Sequence, residues 1–416
     1  MLCQCKQRSD VTIQFDRMRC KIANYGYLSM NVFSRSVLSR NFHRMAWLAA
    51  LFTASTILFG GYVRLSDAGM SCPDWPTCYG RITWPKTVEE ANQHFASHIR
   101  PLETQKAWRE QIHRFLASAL GIEACLLALT ASRRRKRSVL TISVSVGLVL
   151  LSIPLYLYGA YLGGLSLAVL AEIVLLFAAW RWSNEDLSRV GALVLALVIF
   201  QALLGMWTVT MLLRPIIVMG HLLGAVSMFG LLVWMAWRAT NLPITVAEKH
   251  ARWIIRAGLA VVMIQIALGG WVSANYASLA CGGGHWLSAD NFPQCVGQWW
   301  PTQDYGAGFK LMRSIGVDYE GGVLDGPARI AIQMAHRIWA IFATAYLGWT
   351  VWYLSRLPGL RGWGIALFVT LFCQLILGVL NVKLALPLVV GVMHNGGSVA
   401  LTFILVSLLA RIRAPG

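Results

Sequence analysis

The 416 residues are 57% hydrophobic and 13% charged, with a mean hydropathy of +0.57, which excludes an ordinary soluble domain. The formal net charge of +18 comes from basic residues in short runs between apolar segments, a topology pattern rather than a nucleic-acid surface, so no nucleic-acid partner is expected. Nine scattered cysteines are too few for a disulfide-dense scaffold.

Residues 1–45 hold eight Lys/Arg and two Asp, with Cys3, Cys5 and Cys20, and no apolar run long enough for a signal peptide. They read as a basic cytoplasmic tail. Met30 offers an alternative start, and the following stretch, rich in Arg and Ser, also mimics a mitochondrial presequence. Apolar segments follow at about 46–63, 110–130, 138–158, 162–180, 190–210, 215–237, 253–272, 329–355, 362–382 and 387–410. A spanning helix needs ~20 residues, so the expectation is an all-α polytopic membrane protein of about ten spans. With the tail inside, 23 of the 36 Lys/Arg fall on the same side, Arg133 to Arg137 among them. The positive-inside rule then makes both termini cytoplasmic and turns the long loops 64–109 and 273–328 outward.

Glu110-Gln111-Ile112-His113-Arg114 opens the second segment, and Gln333-Met334-Ala335-His336-Arg337 repeats the design in the eighth. His221 and His394 open two more. Each histidine alone reads most simply as an interfacial side chain reaching for water or a carbonyl. All four, however, lie early on helices that run from outside to inside, at ~6 to 14 Å of depth for a rise of 1.5 Å per residue. Random interfacial histidines would divide between the two sides, so the coincidence favours metal centres.

An internal repeat supports this. Gln201-x-x-x-Gly205 precedes His221 by 20 residues, as Gln374-x-x-x-Gly378 precedes His394, and Gly60-Gly61 precedes Cys72 in the register by which Gly269-Gly270 precedes Cys281. Two parallel copies related by an axis along the membrane normal are predicted. The divisions are 46–240 for the first bundle, with 138–180 as an extra hairpin, and 250–411 for the second.

Neither carboxylate nor thiolate accompanies His221, His336 or His394 at the spacing zinc or copper would use. A haem clamped between imidazoles of facing helices fits better, with Gly205, Gly224, Gly378 and Gly397 letting a flat macrocycle approach the backbone. Arg114 and Arg337 could pair with propionates or snorkel to the interface. Glu110 could move protons or simply complement a helix N-terminus. Outside a membrane, Cys72 and Cys78 are expected to form a disulfide, as a staple or a redox relay, and Cys281 and Cys295 a second staple. Cys125 and Cys373 read as small apolar residues.

The ordered set Gly60-Gly61-Tyr62-Val63-Arg64-Leu65, Ser71 to Cys78, Glu110-x-x-His113-Arg114, His221-Leu222-Leu223-Gly224-Ala225, His336-Arg337 and Leu386-Pro387 with His394-Asn395 resembles the bacterial haem A synthase family, over roughly residues 46 to 410. The resemblance implies eight helices in two four-helix bundles. It implies haem o as substrate facing His113 and His221, and haem b on His336 and His394. The implied reaction oxidises the methyl at ring carbon 8 to the formyl group of haem a in a bacterial inner membrane. Implied partners are haem o synthase and terminal oxidase assembly; membrane lipid, an unidentified electron-transfer partner and a possible homo-oligomer are expected beside them. The 138–180 hairpin and the longer Cys281 to Cys295 loop depart from the family pattern. A dihaem b-type electron-transfer protein is the main rival reading, and a repeat-built transporter the second.

Overall fold

A computed structural model describes residues 41–183, 187–248, 250–282 and 292–414; residues 1–40 of the predicted tail lie outside them. The long helices are α1 (Phe42–Leu65), α4 (Thr104–Ser132), α5 (Ser138–Leu157), α6 (Tyr161–Arg181), α7 (Ser188–Thr210), α8 (Pro215–Thr240), α9 (Ala251–Ala274), α11 (Gly326–Ser355), α12 (Arg361–Lys383) and α13 (Leu388–Arg411). Short helices α2 (Val88–Asn92), α3 (Ala96–Ile99) and α10 (Tyr305–Gly308) sit in the two long loops. Strands β1 (Ile244–Thr245) and β2 (Ile412–Arg413) pair in parallel and tie the linker between the bundles to the C-terminal end. The protein is all-α and polytopic.

Nine of these helices are long and apolar enough to span a membrane. The tenth, α11, is not among the nine although it has 30 residues. Arg329, Gln333, His336 and Arg337 crowd its first three turns and lower its mean apolarity, while its packing between α9 and α12 gives it the place that α4 holds between α1 and α7. Both hairpin helices qualify as spans, as the sequence predicts for 138–180. They cross closely at Gly164, where an added Cβ would come within 2.8 Å of the Ser152 carbonyl oxygen, and they lean on α4 and α7.

Each bundle is a closed ring. In the first, α1 packs on α4, α4 on α7, α7 on α8 and α8 on α1; in the second, α9, α11, α12 and α13 follow the same order. Helices α4 and α8 are therefore diagonal partners, as are α11 and α13. The rings meet through α8 and α13, with α1 against α13 on one face and α9 against α8 on the other.

The repeat extends to backbone geometry. Leu212 and Leu213 (φ 51° and 57°) turn the chain into α8, and Ala385 and Leu386 (φ 56° and 61°) turn it into α13. Left-handed non-glycine residues carry a penalty of roughly 1–2 kcal/mol each, so tertiary packing, not local preference, fixes these turns. Pro215 then starts α8 with φ preset, and Pro387 stands at the N-cap of α13. The glycine pairs have divided duties. Gly60 and Gly269 face a histidine of their own bundle, while Gly61 admits Asn395 and Gly270 admits Leu222 from the other bundle.

The two long loops join above the histidine-bearing ends. Arg100 forms an ion pair with Glu320, the Arg64 guanidinium donates to the Tyr276 hydroxyl at 2.9 Å and the Ser273 carbonyl at 2.6 Å, and the Tyr319 amide donates to the Leu212 carbonyl at 3.1 Å.

Candidate functional site

His113 is the tenth residue of α4 and His336 the eleventh of α11; His221 and His394 are each the seventh of α8 and α13. Because α4 and α8 are diagonal, His113 and His221 face each other across the first ring, near enough to interact electrostatically, and His336 faces His394 in the same way. The flanking helices supply the walls. A Cβ on Gly60 would lie 2.8 Å from the His113 Cε1 and one on Gly269 3.1 Å from that of His336. On the opposite wall the values are 3.5 Å for Gly205 against His221 and 3.2 Å for Gly378 against His394. The His113, His336 and His394 rings thus lie on glycines where a Cβ would press on them, whereas at Gly205 a Cβ would meet His221 in ordinary van der Waals contact. Gly224 and Gly397 differ from expectation: a Cβ there would overlap the amides of Gln201 and Gln374, because three residues beyond the histidine the helix face has turned toward its neighbour.

The Nδ1 atoms of His113, His221 and His394 are buried without a hydrogen-bond partner. His336 instead meets the Gln265 amide nitrogen, 3.2 Å from Nδ1 and 3.3 Å from Nε2, and the Gln374 amide nitrogen stands 3.4 Å from His394 Nε2. Buried imidazole nitrogens without a protein partner, on paired helices lined by glycine, fit a haem that these histidines would hold. Among the described residues no three His, Cys, Asp or Glu side chains gather for a bare ion. Gln265 was missed from sequence; an amide inside an apolar span, four residues before Gly269, was the available signal.

Both cysteine pairs are disulfides, Cys72–Cys78 and Cys281–Cys295. The first loop is clasped from below by α4. Glu110, 5% exposed, accepts from the Cys72 amide at 2.8 Å and from Arg114 at 2.6 Å. Arg114 also donates to the carbonyls of Cys72, Asp74 and Thr77 at 2.9, 2.9 and 2.7 Å. Arg337 reaches the Pro293 and Gln294 carbonyls at 3.5 and 3.3 Å, so both arginines hold their loop, a duty that sequence spacing did not suggest. Gln333, in the place of Glu110, leaves its buried carbonyl oxygen unpaired.

Asp74 fastens the first loop from within, accepting from the Thr77 hydroxyl at 2.5 Å and the Tyr79 and Gly80 amides at 2.6 and 2.9 Å. Burial of Tyr79, with the charges of Asp74 and Glu110 beside it, pushes its phenol up to about 12. It therefore stays protonated and donates to the Arg100 carbonyl at 3.1 Å. Asp74→Ala should speed hydrogen exchange at Tyr79 and Gly80 by about tenfold or more, since hydrogen bonds to a charged acceptor contribute about 1.5–3 kcal/mol. Unchanged exchange would mean that the disulfide alone orders the loop.

Residues 43–406 match the family described as cytochrome oxidase assembly protein (COX15-CtaA). The chain belongs to this family. The match to the cytochrome oxidase assembly family begins in α1 and ends in α13, so it takes in both diagonal histidine pairs and both disulfide loops. A protein named "Heme A synthase" from Shewanella oneidensis is 32% identical over 374 residues, covering 88% of this chain and 96% of that one. Proteins of the same name from Caulobacter vibrioides and from Caulobacter strain K31 are 25% and 24% identical, each covering 93% of this chain and all of the relative.

Proposed function

We propose that this chain is a haem A synthase, oxidising the methyl at ring carbon 8 of haem o to the formyl group of haem a for terminal oxidases. The observation that carries the reading is the duplicated clamp: two imidazoles across a bundle diagonal, each against a glycine, in a chain of this family. In this reading His113 and His221 hold the substrate haem, and His336 and His394 hold a resident haem b. A bound haem iron supplies the one-electron and oxygen chemistry that no side chain can.

The protein's own residues bind, orient and move protons. The glycines on opposite walls leave each imidazole room, Gln265 and Gln374 orient imidazoles of the second site, and Arg337, which turns one nitrogen to its loop, is the better placed of the two arginines to meet a propionate. Arg114, with four acceptors already engaged, acts through the first loop. Glu110 is the only carboxylate within one turn of a motif histidine, which makes it the proton-handling group.

The setting belongs to the same proposal: a bacterial inner membrane, both termini cytoplasmic, with haem o synthase, the oxidase assembly pathway, an electron-transfer protein and further copies of the chain as partners. The asymmetry of basic residues supports the orientation. Reporter fusions should place residue 135 in the cytoplasm and residue 320 outside; the reverse would overturn the topology.

Pigment extraction from the purified chain tests the function. Haem b together with haem o or haem a is the expected result. Haem b alone would favour the dihaem electron-transfer reading, and absence of haem would overturn both.

A further inference from the structure

We propose that the junction of the two bundles holds one phospholipid with an anionic headgroup, at the end of the membrane domain remote from the histidines. The first observation is an apolar groove of about 310 Å³ on the face where α1 meets α8 and α13, lined among others by Trp47, Ala50, Ala54, Val233, Gly396 and Phe403. Leu51 on its rim is 66% exposed, so the groove opens toward the lipid phase rather than into either ring.

The second observation is charge. Two turns beyond Phe403, ~12 Å along α13, the helix ends at Arg411, and Arg413, Arg252 and Arg238 gather beside it around Ile412 and Asn241. Among the described residues none of the four is paired with a carboxylate: Arg252 donates to the Ile412 carbonyl, Arg411 to the Leu242 carbonyl at 2.8 Å and Arg413 to the Asn241 side chain at 3.2 Å. Glu248, in the same linker, faces His250 at 3.1 Å. The strand pairing of Thr245 with Arg413 holds this cluster in place. Arg238, Arg252 and Arg413, gathered without a carboxylate partner among the described residues and with Arg411 two residues from Arg413, call for an anion.

A continuous path links groove to cluster. Trp47 donates to the Thr240 hydroxyl at 3.1 Å and meets Trp237 edge-on at 4.9 Å; Trp237 donates to the Ser407 hydroxyl at 2.8 Å and lies under Arg411 at 4.4 Å. An amphipathic ligand with one hydrocarbon chain in the groove and a phosphate among the arginines satisfies both ends, and a phospholipid has that shape.

The repeat shows that the groove is particular to this face. In the register that aligns Gly60 with Gly269 and His221 with His394, Ala50, Ala54 and Gly396 correspond to Leu259, Met263 and Leu223. Those larger side chains pack against the second core cluster. The space is thus open on one side of the junction at positions where the other copy is filled.

The full chain, purified in detergent, can be titrated with phosphatidylglycerol or phosphatidylcholine and read by native mass spectrometry and thermal unfolding. Retention of one phosphatidylglycerol, with a larger rise in Tm than phosphatidylcholine gives, is expected. Arg238→Gln with Arg413→Gln should erase that preference, about a tenfold or greater loss of phosphatidylglycerol retention. Ala50→Leu with Ala54→Met, which installs the residues of the other copy, should reduce retention of both lipids while the chain stays folded. Equal retention of the two lipids by the wild type, or retention untouched by both double variants, would overturn the proposal.

Discussion

Gly269→Leu should strip the second bundle of its haem, lowering bound pigment by about 10–100-fold, the loss typical when a metal ligand is displaced from its orientation. A methyl group alone would come within 3.1 Å of the His336 ring, tighter than ordinary van der Waals contact, and leucine adds three carbons where the wall offers no space. The imidazole must rotate away from the diagonal and lose sight of His394. Gly60→Leu should do the same to His113, where the first carbon would already sit 2.8 Å away, and so remove the substrate haem while sparing haem b. Gly163→Leu is the control, because nothing stands within 4 Å of that position in the hairpin. The readouts are the haem b absorbance and the pigment extracted per chain, with circular dichroism to confirm helix content. Wild-type pigment in both variants would mean that the diagonal pairs are not haem sites.

How much of this was legible beforehand depended on distance along the chain. The four histidines, the repeat and both cysteine pairs declare themselves through short spacings, and the diagonal placement follows once helix order is known, since alternate helices of a closed ring cannot touch. Ten apolar segments became ten helices, yet α11 falls short as a span by apolarity because its first turns carry Arg329, Gln333, His336 and Arg337. Contacts between distant segments left no such trace. Arg114 reaches carbonyls about forty residues away, Arg100 finds Glu320 in the other long loop, and Gln265 meets His336 from a separate helix. Arginines beside histidines suggested propionates or snorkelling, and the structure adds a backbone loop that both hold. The roles of Gly224 and Gly397 shifted for a similar reason: sequence spacing gives the face of a helix but not which neighbour occupies it.

The difference between Glu110 and Gln333 carries the last prediction, that the two copies share a fold but not a task. An amide can orient a ligand but cannot exchange protons, so only the first site keeps an acid/base group that a multi-step oxidation would use. The structure adds a second duty, since both Glu110 oxygens are engaged, one on the Cys72 amide and one on Arg114. Glu110→Gln should lower haem a formation by about 10²–10⁴-fold, the usual contribution of general acid–base catalysis. Haem b should remain bound, and haem o or a partly oxidised product should accumulate. The clasp and the proton role part company in Glu110→Gln itself, whose amide oxygen can still accept one of the two hydrogen bonds while the Arg114 guanidinium keeps its three loop carbonyls. If Glu110 served only as a clasp, loop order, read by hydrogen exchange at Cys72, and activity would fall together. Retained loop order without activity is the expected result. Wild-type haem a formation by Glu110→Gln would instead make the carboxylate structural, and the asymmetry between the copies would then lie elsewhere than in proton transfer.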